Sequence, residues 1–141
     1  MEIKNKKWVL KERPRGLVKD SDFELIAETL PAIQEGEILL ENMYLSFDPT
    51  QRGWLNDVPG YLPPVQIGEV VRSGGMGCVI ESKNPEYNVG DLVFGFVGWQ
   101  SHCITKAEEN ERFRVIPPPS SNPHNVKCYG YHRYYCLLWA A

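Results

Sequence analysis

Asp48 and Arg52 are the charged pair whose spacing first suggests chemistry, because four positions separate them. Asp48 precedes Pro49, and an aspartate followed by a proline at the first helical position is typical of a helix start. We therefore predict a short helix over residues 49–55. Asp48 could act there as a catalytic acid. It could also cap the helix and pair with Arg52, and this structural interpretation is favoured.

Residues 72–80, Arg-Ser-Gly-Gly-Met-Gly-Cys-Val-Ile, are the richest in glycine and could suggest a phosphate-binding loop. A dinucleotide fingerprint needs Gly-x-Gly-x-x-Gly between a strand and a helix. Ile80 occupies the third glycine position, and the residues after it have an extended pattern. We predict a bend or bulge in a β-strand.

Cys128, His132 and Cys136 recur at intervals of four and could present three zinc ligands on one helix face. Structural zinc sites use paired ligands and a fourth donor, and only His124 is near in sequence. We therefore predict no metal site.

His102 and Cys103 have the composition of a nucleophile pair, but neighbours in a strand point to opposite faces. Trp54, Tyr61 and Trp99 could line a ligand cleft or fill the interior of a barrel. The sequence leaves these two roles open.

The elements that must position these residues are mostly strands. Twelve glycines and eleven prolines leave little room for long helices, while β-branched and aromatic runs recur between them. Polar Glu41 and Asn42 interrupt the third run, which suggests a bulge. The predicted strands are Lys7–Leu10, Phe23–Ala27, Glu37–Ser46, Gly77–Glu81, Leu92–Val97 and Arg112–Ile116.

The composition suits one domain: 141 residues, 43% of them hydrophobic, with a formal net charge of -3. The mild acidity argues against a nucleic-acid partner. Since the sequence contains neither a secretory signal nor a long apolar span, we expect a cytoplasmic protein without a membrane partner. Four irregularly spaced cysteines favour free thiols over a disulfide framework.

Four segments carry a resemblance to a known family. They are residues 44–53 (Tyr-Leu-Ser-Phe-Asp-Pro-Thr-Gln-Arg-Gly), residues 61–69 (Tyr-Leu-Pro-Pro-Val-Gln-Ile-Gly-Glu), residues 87–95 (Tyr-Asn-Val-Gly-Asp-Leu-Val-Phe-Gly) and residues 98–100 (Gly-Trp-Gln). Together they resemble the amino-terminal part of zinc-independent medium-chain dehydrogenase/reductases. The similar group contains prostaglandin reductases, alkenal double-bond reductases and curcumin reductases, and the resemblance covers about residues 6–119.

The resemblance implies a mainly β fold, a GroES-like, partly open β-barrel with short helical turns. It also implies hydride transfer from NADPH to the C=C bond of an α,β-unsaturated ketone or aldehyde, in a cleft against a Rossmann domain. The ligand position of zinc-dependent relatives falls on Gly74. Two positions that often hold tyrosine near the substrate fall on Thr50 and Gly74. We therefore assign substrate binding to Asp48, Thr50, Arg52 and Gly74, and no residue to catalysis, cofactor or metal.

The resemblance ends before any Rossmann domain, so we expect that domain to be absent and residues 120–141 to be an atypical tail. No acidic residue follows Glu111. Suitable codons for residues 129–139, read one base further on, encode a segment like that of the family. Our hypothesis is a frameshift near residues 119–127.

Three expectations follow for the chain alone. It should be inactive and bind no NADPH, although an enone or enal is the implied substrate. It should be marginally stable or self-associate, because a strand edge and apolar surface are left uncovered. The alternative function is that of a stand-alone β-barrel binding or interaction module without catalysis.

Overall fold

The computed structural model describes residues 2–106 and 113–116, which are mainly β. The helical elements are one α-helix, α1 (Thr50–Trp54), and a 3-10 turn at Asp20–Asp22. The strands are β1 (Lys4–Leu10), β2 (Phe23–Thr29), β3 (Glu37–Leu45), β4 (Gly74–Ser82), β5 (Leu92–Phe96), β6 (His102–Lys106) and β7 (Arg114–Val115).

Two antiparallel sheets form a partly open barrel. β1 pairs with β2 alone, while the larger sheet has the order β6-β3-β4-β5-β7. Isolated bridges from Lys7 to Gln100 and from Val9 to Val70 join β1 to the chain around the larger sheet. The predicted mainly β, partly open barrel is therefore confirmed.

The barrel interior contains two apolar clusters. Ile38, Leu40, Val79 and Val93 belong to the first, on strands β3, β4 and β5. The second lies beside α1 and consists of Leu10, Leu55, Val65 and Val71, with Phe23, Trp54 and Trp99 packed against it. Burial of these side chains is the main force that holds α1 against the sheets.

The glycine-rich stretch lies in β4, as the sequence predicted. The register between β3 and β4 shifts at Leu39/Leu40 and again at Asn42/Tyr44, so the predicted bulge is present. A Cβ on Gly75 would collide with the Tyr44 carbonyl oxygen and the Val97 side chain. Glycine is required there because the two strands approach so closely.

Several predictions need correction. β6 was missed, and α1 begins at Thr50 rather than at Pro49. Cys103 is a free, buried thiol. The structure places Cys78 in a disulfide, so the expectation of a free thiol is wrong there.

The remaining predictions on the tail fall on residues that the structure does not describe. They concern the candidate zinc ligands, the boundary at residue 119 and the atypical segment 120–141. Over the residues that it describes, the structure contains no helix with the length and apolarity needed to cross a membrane.

Candidate functional site

The loop from Ser46 into α1 is fixed by a buried polar network. Gln51, which is 6% exposed, donates from Nε2 to the Ser46 carbonyl oxygen at 2.6 Å and to Ser73 Oγ at 3.2 Å. The Ser73 hydroxyl lies 2.8 Å from the carbonyl oxygens of both Ser46 and Gly74. Sequence reasoning missed both residues, because their partners lie far away along the chain.

Asp48 and Thr50 are bonded to each other on the exposed side of this loop. The Asp48 carboxylate accepts the Thr50 hydroxyl at 2.6 Å and the Thr50 backbone N–H at 2.8 Å. These hydrogen bonds stabilise the carboxylate and lower the pKa of Asp48. An aspartate held in its ionised form is poorly suited to donate a proton, so a structural role, in which Asp48 binds the N–H and hydroxyl of Thr50, is favoured over the catalytic acid.

Arg52 does not pair with Asp48, which corrects the predicted ion pair. Its guanidinium donates to Asn56 Oδ1 at 2.6 Å and to the carbonyl oxygens of Pro14 at 3.2 Å and Gly16 at 3.0 Å. Asp48 precedes α1 and turns back onto Thr50, so the two side chains diverge. Arg52 therefore holds the loop in place.

Arg13 holds the same loop from the other side. It donates from Nη1 to the carbonyl oxygens of Leu55 at 2.9 Å and Val65 at 2.6 Å, and its Nη2 lies 3.6 Å from Asp57 Oδ1. Nothing in the sequence pattern pointed to Arg13, since its partners are 42 and 52 positions away.

Gly74 is the first residue of β4 and lies across from Ser46. Its carbonyl oxygen accepts the Ser46 N–H at 2.8 Å. A Cβ on Gly74 would lie 3.9 Å from the Phe94 ring, which is ordinary van der Waals contact. The structure thus leaves room at Gly74 for a larger side chain, and brings it to the edge of the loop that carries Asp48 and Thr50.

Aromatic rings form a corner beside this loop. The Trp54 ring centroid is 6.2 Å from that of Tyr61 and 5.9 Å from that of Phe96, both edge to face. The Arg72 guanidinium carbon lies 5.6 Å from the centroid of Trp54. We refer to Trp54, Tyr61, Phe96 and Arg72 as the aromatic corner; Tyr61 is 72% exposed, so the Tyr61 side of the corner is open to solvent. Sequence reasoning singled out Trp54 and Tyr61 and missed the other two.

Trp99 belongs to a separate aromatic group. Its ring lies 5.4 Å from Phe23 and 5.7 Å from Phe47, and it packs against the second apolar cluster. Trp54 has the same position, since both indoles are partly buried against that cluster and each also contacts an exposed ring, Phe47 for Trp99 and Tyr61 for Trp54. The two roles that the sequence left open therefore stay open.

His102 and Cys103 point to opposite sides of β6, as the sequence predicted. Cys103 belongs to the first core cluster, and burial raises the pKa of its thiol to about 11. The His102 ring lies on the other side, with Nδ1 3.0 Å from Ser101 Oγ. A buried thiol with a raised pKa is a poor nucleophile, so the geometry does not favour this pair as a catalytic pair.

The described residues do not fit a nicotinamide dinucleotide. The glycines of residues 74–77 are in a strand paired on both sides, so their amides do not open onto a helix N-terminus. The α-helix found among these residues, α1, is five residues long.

The two sheets define a mainly β, partly open barrel, which is the architecture that the resemblance implies. Residues 6–113 match the model of the N-terminal domain of oxidoreductases, and the chain belongs to that family.

Curated relatives are similar over the same part of the chain. The NADPH-dependent curcumin reductase of Escherichia coli is 41% identical over 106 residues, which cover 75% of this chain and 31% of the relative. Prostaglandin reductase 1 of Oryctolagus cuniculus is 36% identical over 78% of this chain and 30% of its own length. The chain thus spans about a third of the length of the curated relatives it matches.

A solved structure gives the same result for the fold. CurA from Vibrio vulnificus, determined in complex with NADPH, aligns with a TM-score of 0.73 at 33% identity. The alignment covers 84% of this chain and 34% of CurA.

Proposed function

We propose that this chain forms the substrate-binding part of an NADP(H)-dependent reductase that reduces the C=C bond of α,β-unsaturated ketones or aldehydes by hydride transfer. The observation that carries the proposal is the open aromatic corner beside a clamped polar loop, in a chain similar to an NADPH-dependent curcumin reductase. A planar conjugated molecule packs well on such rings.

The substrate wall that we propose consists of Asp48, Thr50, Gly74 and the aromatic corner. Asp48 and Thr50 are exposed, and Gly74 leaves space in front of Phe94. Arg52 acts by positioning, because its bonds to Pro14 and Gly16 hold the loop on which Thr50 lies. A preorganised wall of this kind lowers the cost of ordering the substrate.

We propose no nucleotide-binding role for these residues, because they do not fit the dinucleotide. NADPH supplies the hydride in this class of reductase, and this chain alone is accordingly proposed to be inactive. Its own contribution is to bind the flat conjugated part of the substrate and to keep water away from it.

Titration with benzylideneacetone, a neutral aryl enone, tests the proposal. Trp54 Nε1 is buried and has no hydrogen-bond partner among the described residues, so the indole N–H resonance should respond to a ligand on the ring. We expect a saturable shift of this resonance, assigned from its loss in Trp54→Phe. A shift at Trp99 alone, or no saturation, would contradict the proposed site.

A further inference from the structure

Arg72 is held in a fixed position at the edge of the aromatic corner. Its Nη1 donates to the Pro63 carbonyl oxygen at 2.7 Å, and its guanidinium lies over the Trp54 ring. Two independent contacts therefore restrain the guanidinium, one to a carbonyl oxygen and one to an aromatic ring.

The charge of Arg72 is not neutralised within residues 2–106 and 113–116. The ion pairs of that part of the chain join Lys7 to Glu28 and Arg13 to Asp57. Arg13 and Arg52 each donate to two backbone carbonyl oxygens, whereas Arg72 donates to one, that of Pro63. Since a guanidinium has five N–H donors, most of those on Arg72 remain for a ligand.

We propose that Arg72 binds a carboxylate on a planar conjugated ligand, and so makes the site selective for substrates that carry an acid group beside the enone. The inference rests on the proposed function, because it places the conjugated part of the ligand on Trp54 and Tyr61. The guanidinium edge can bind both carboxylate oxygens, which is the preferred geometry of an arginine–carboxylate pair. Partial burial beside the rings strengthens this contact, since water screens it less.

A carboxylate suits this corner better than a phosphate does. Among the described residues, the contacts of Trp54 and Tyr61 include one positively charged side chain, which is Arg72. A single positive charge balances a carboxylate, while a phosphate dianion would leave a negative charge uncompensated next to aromatic faces.

The test compares the carboxylic acid and the methyl ester of ring-carboxylated benzylideneacetone. Both have the same conjugated core, and only the acid carries a charge near neutral pH. Dissociation constants are measured by calorimetry on the 141-residue chain and followed by the Trp54 indole resonance. We expect the acid to bind about tenfold or more tightly than the ester, as a charge-assisted pair would give.

Variants separate the charge of Arg72 from its packing. Arg72→Gln should remove the preference for the acid over the ester, whereas Arg72→Lys should keep part of the preference. Arg15→Gln is the matched control. Arg15 is exposed and lies outside the aromatic corner, so this substitution removes the same charge at a different place. It should leave the preference unchanged. Thermal melts confirm that each variant is folded.

The outcomes distinguish this inference from the function on which it rests. Equal binding of acid and ester, or an acid preference that survives in Arg72→Gln, would overturn the role of Arg72 and leave the enone site standing. If neither compound binds, the proposed substrate site itself is wrong. If the acid binds and the preference falls in Arg72→Gln but not in Arg15→Gln, the inference is supported.

Discussion

Arg13 and Arg52 are linked reciprocally, since each guanidinium bonds to the backbone of the segment that carries the other. Arg13 donates to the carbonyl oxygen of Leu55, directly after α1, and Arg52 donates from α1 to the carbonyl oxygens of Pro14 and Gly16. Helix α1 has only five residues and cannot be stable by itself. This double connection holds α1 beside the substrate wall that we propose.

Arg52→Ala should destabilise the fold. It removes donors to three oxygens and should lower the free energy of unfolding by about 1–3 kcal/mol, the usual range for hydrogen bonds to charged groups. Urea unfolding measures the change. The control is Arg15→Ala. Arg15 is an exposed arginine between Pro14 and Gly16, the two residues whose carbonyl oxygens accept from Arg52. Its removal should change the free energy of unfolding by about 0.5 kcal/mol or less. Equal effects of the two substitutions would contradict the reciprocal link.

The barrel was largely predictable from the sequence, and the long-range polar contacts were not. Alternation of apolar residues and the turn residues between them identified β1, β2 and β3, because a half-buried strand needs that pattern. β6 was missed, since its strand form depends on pairing with β3 rather than on a strong run of its own. The Arg13 and Arg72 contacts join distant segments, and spacing in the sequence cannot reveal them.

The Asp48–Arg52 prediction failed for a local reason. Spacing of four brings two side chains together only when both lie on a helix. Here α1 begins at Thr50, after Asp48, and the carboxylate accepts the Thr50 hydroxyl instead. Whether such a pair forms depends on the residue at which the helix begins, and a difference of two residues is enough to prevent it.

Gly95→Ala should be strongly destabilising because the Phe113 ring occupies the space of the new methyl group. An ideal Cβ at residue 95 would lie 2.5 Å from the ring. Overpacking of this kind costs about 1–3 kcal/mol of unfolding free energy, which chemical denaturation measures. The additional substitution Phe113→Leu should recover part of the loss.

Gly53→Ala is the matched control for Gly95. No atom lies within 4 Å of its added Cβ, and Gly53 is inside α1, where alanine is preferred. We expect unchanged or slightly increased stability, by up to about 1 kcal/mol. A loss at Gly53 as large as that at Gly95 would show that steric contact with Phe113 is not the cause.

His102 should make the folded state less stable in mild acid. Burial disfavours the imidazolium and lowers the pKa of His102 below its ordinary value of 6.5, although the negative charge of Glu41 opposes this. The unfolded chain therefore binds the proton more readily. The stability contributed by neutral His102 is complete above pH 6.5 and is lost as the pH falls through the folded-state pKa.

Urea midpoints at about pH 7 and about pH 5.5 measure this dependence. His102→Asn keeps a polar side chain next to Ser101 and removes the titration, so its midpoint should change less between the two pH values. A wild-type midpoint that is higher at the lower pH would contradict the assignment.

The chain should self-associate through its exposed aromatic surface. Phe47 is 71% exposed next to the buried face of Trp99, and such apolar area favours contact between molecules. Sedimentation velocity over a range of concentrations should show association that weakens in Phe47→Ser. Val89→Ser, at a position that is 63% exposed elsewhere, should have less effect. A monomer at every concentration would contradict this prediction.

Turnover by the 141-residue chain tests the central claim most directly. Purified chain is mixed with NADPH and a 2-alkenal, and NADPH absorbance is followed alongside a full-length reductase of the same family as positive control. We predict no consumption of NADPH above the enzyme-free rate, because we propose that the described residues form a substrate wall and no dinucleotide site. Steady consumption of NADPH with formation of the saturated aldehyde would contradict that account.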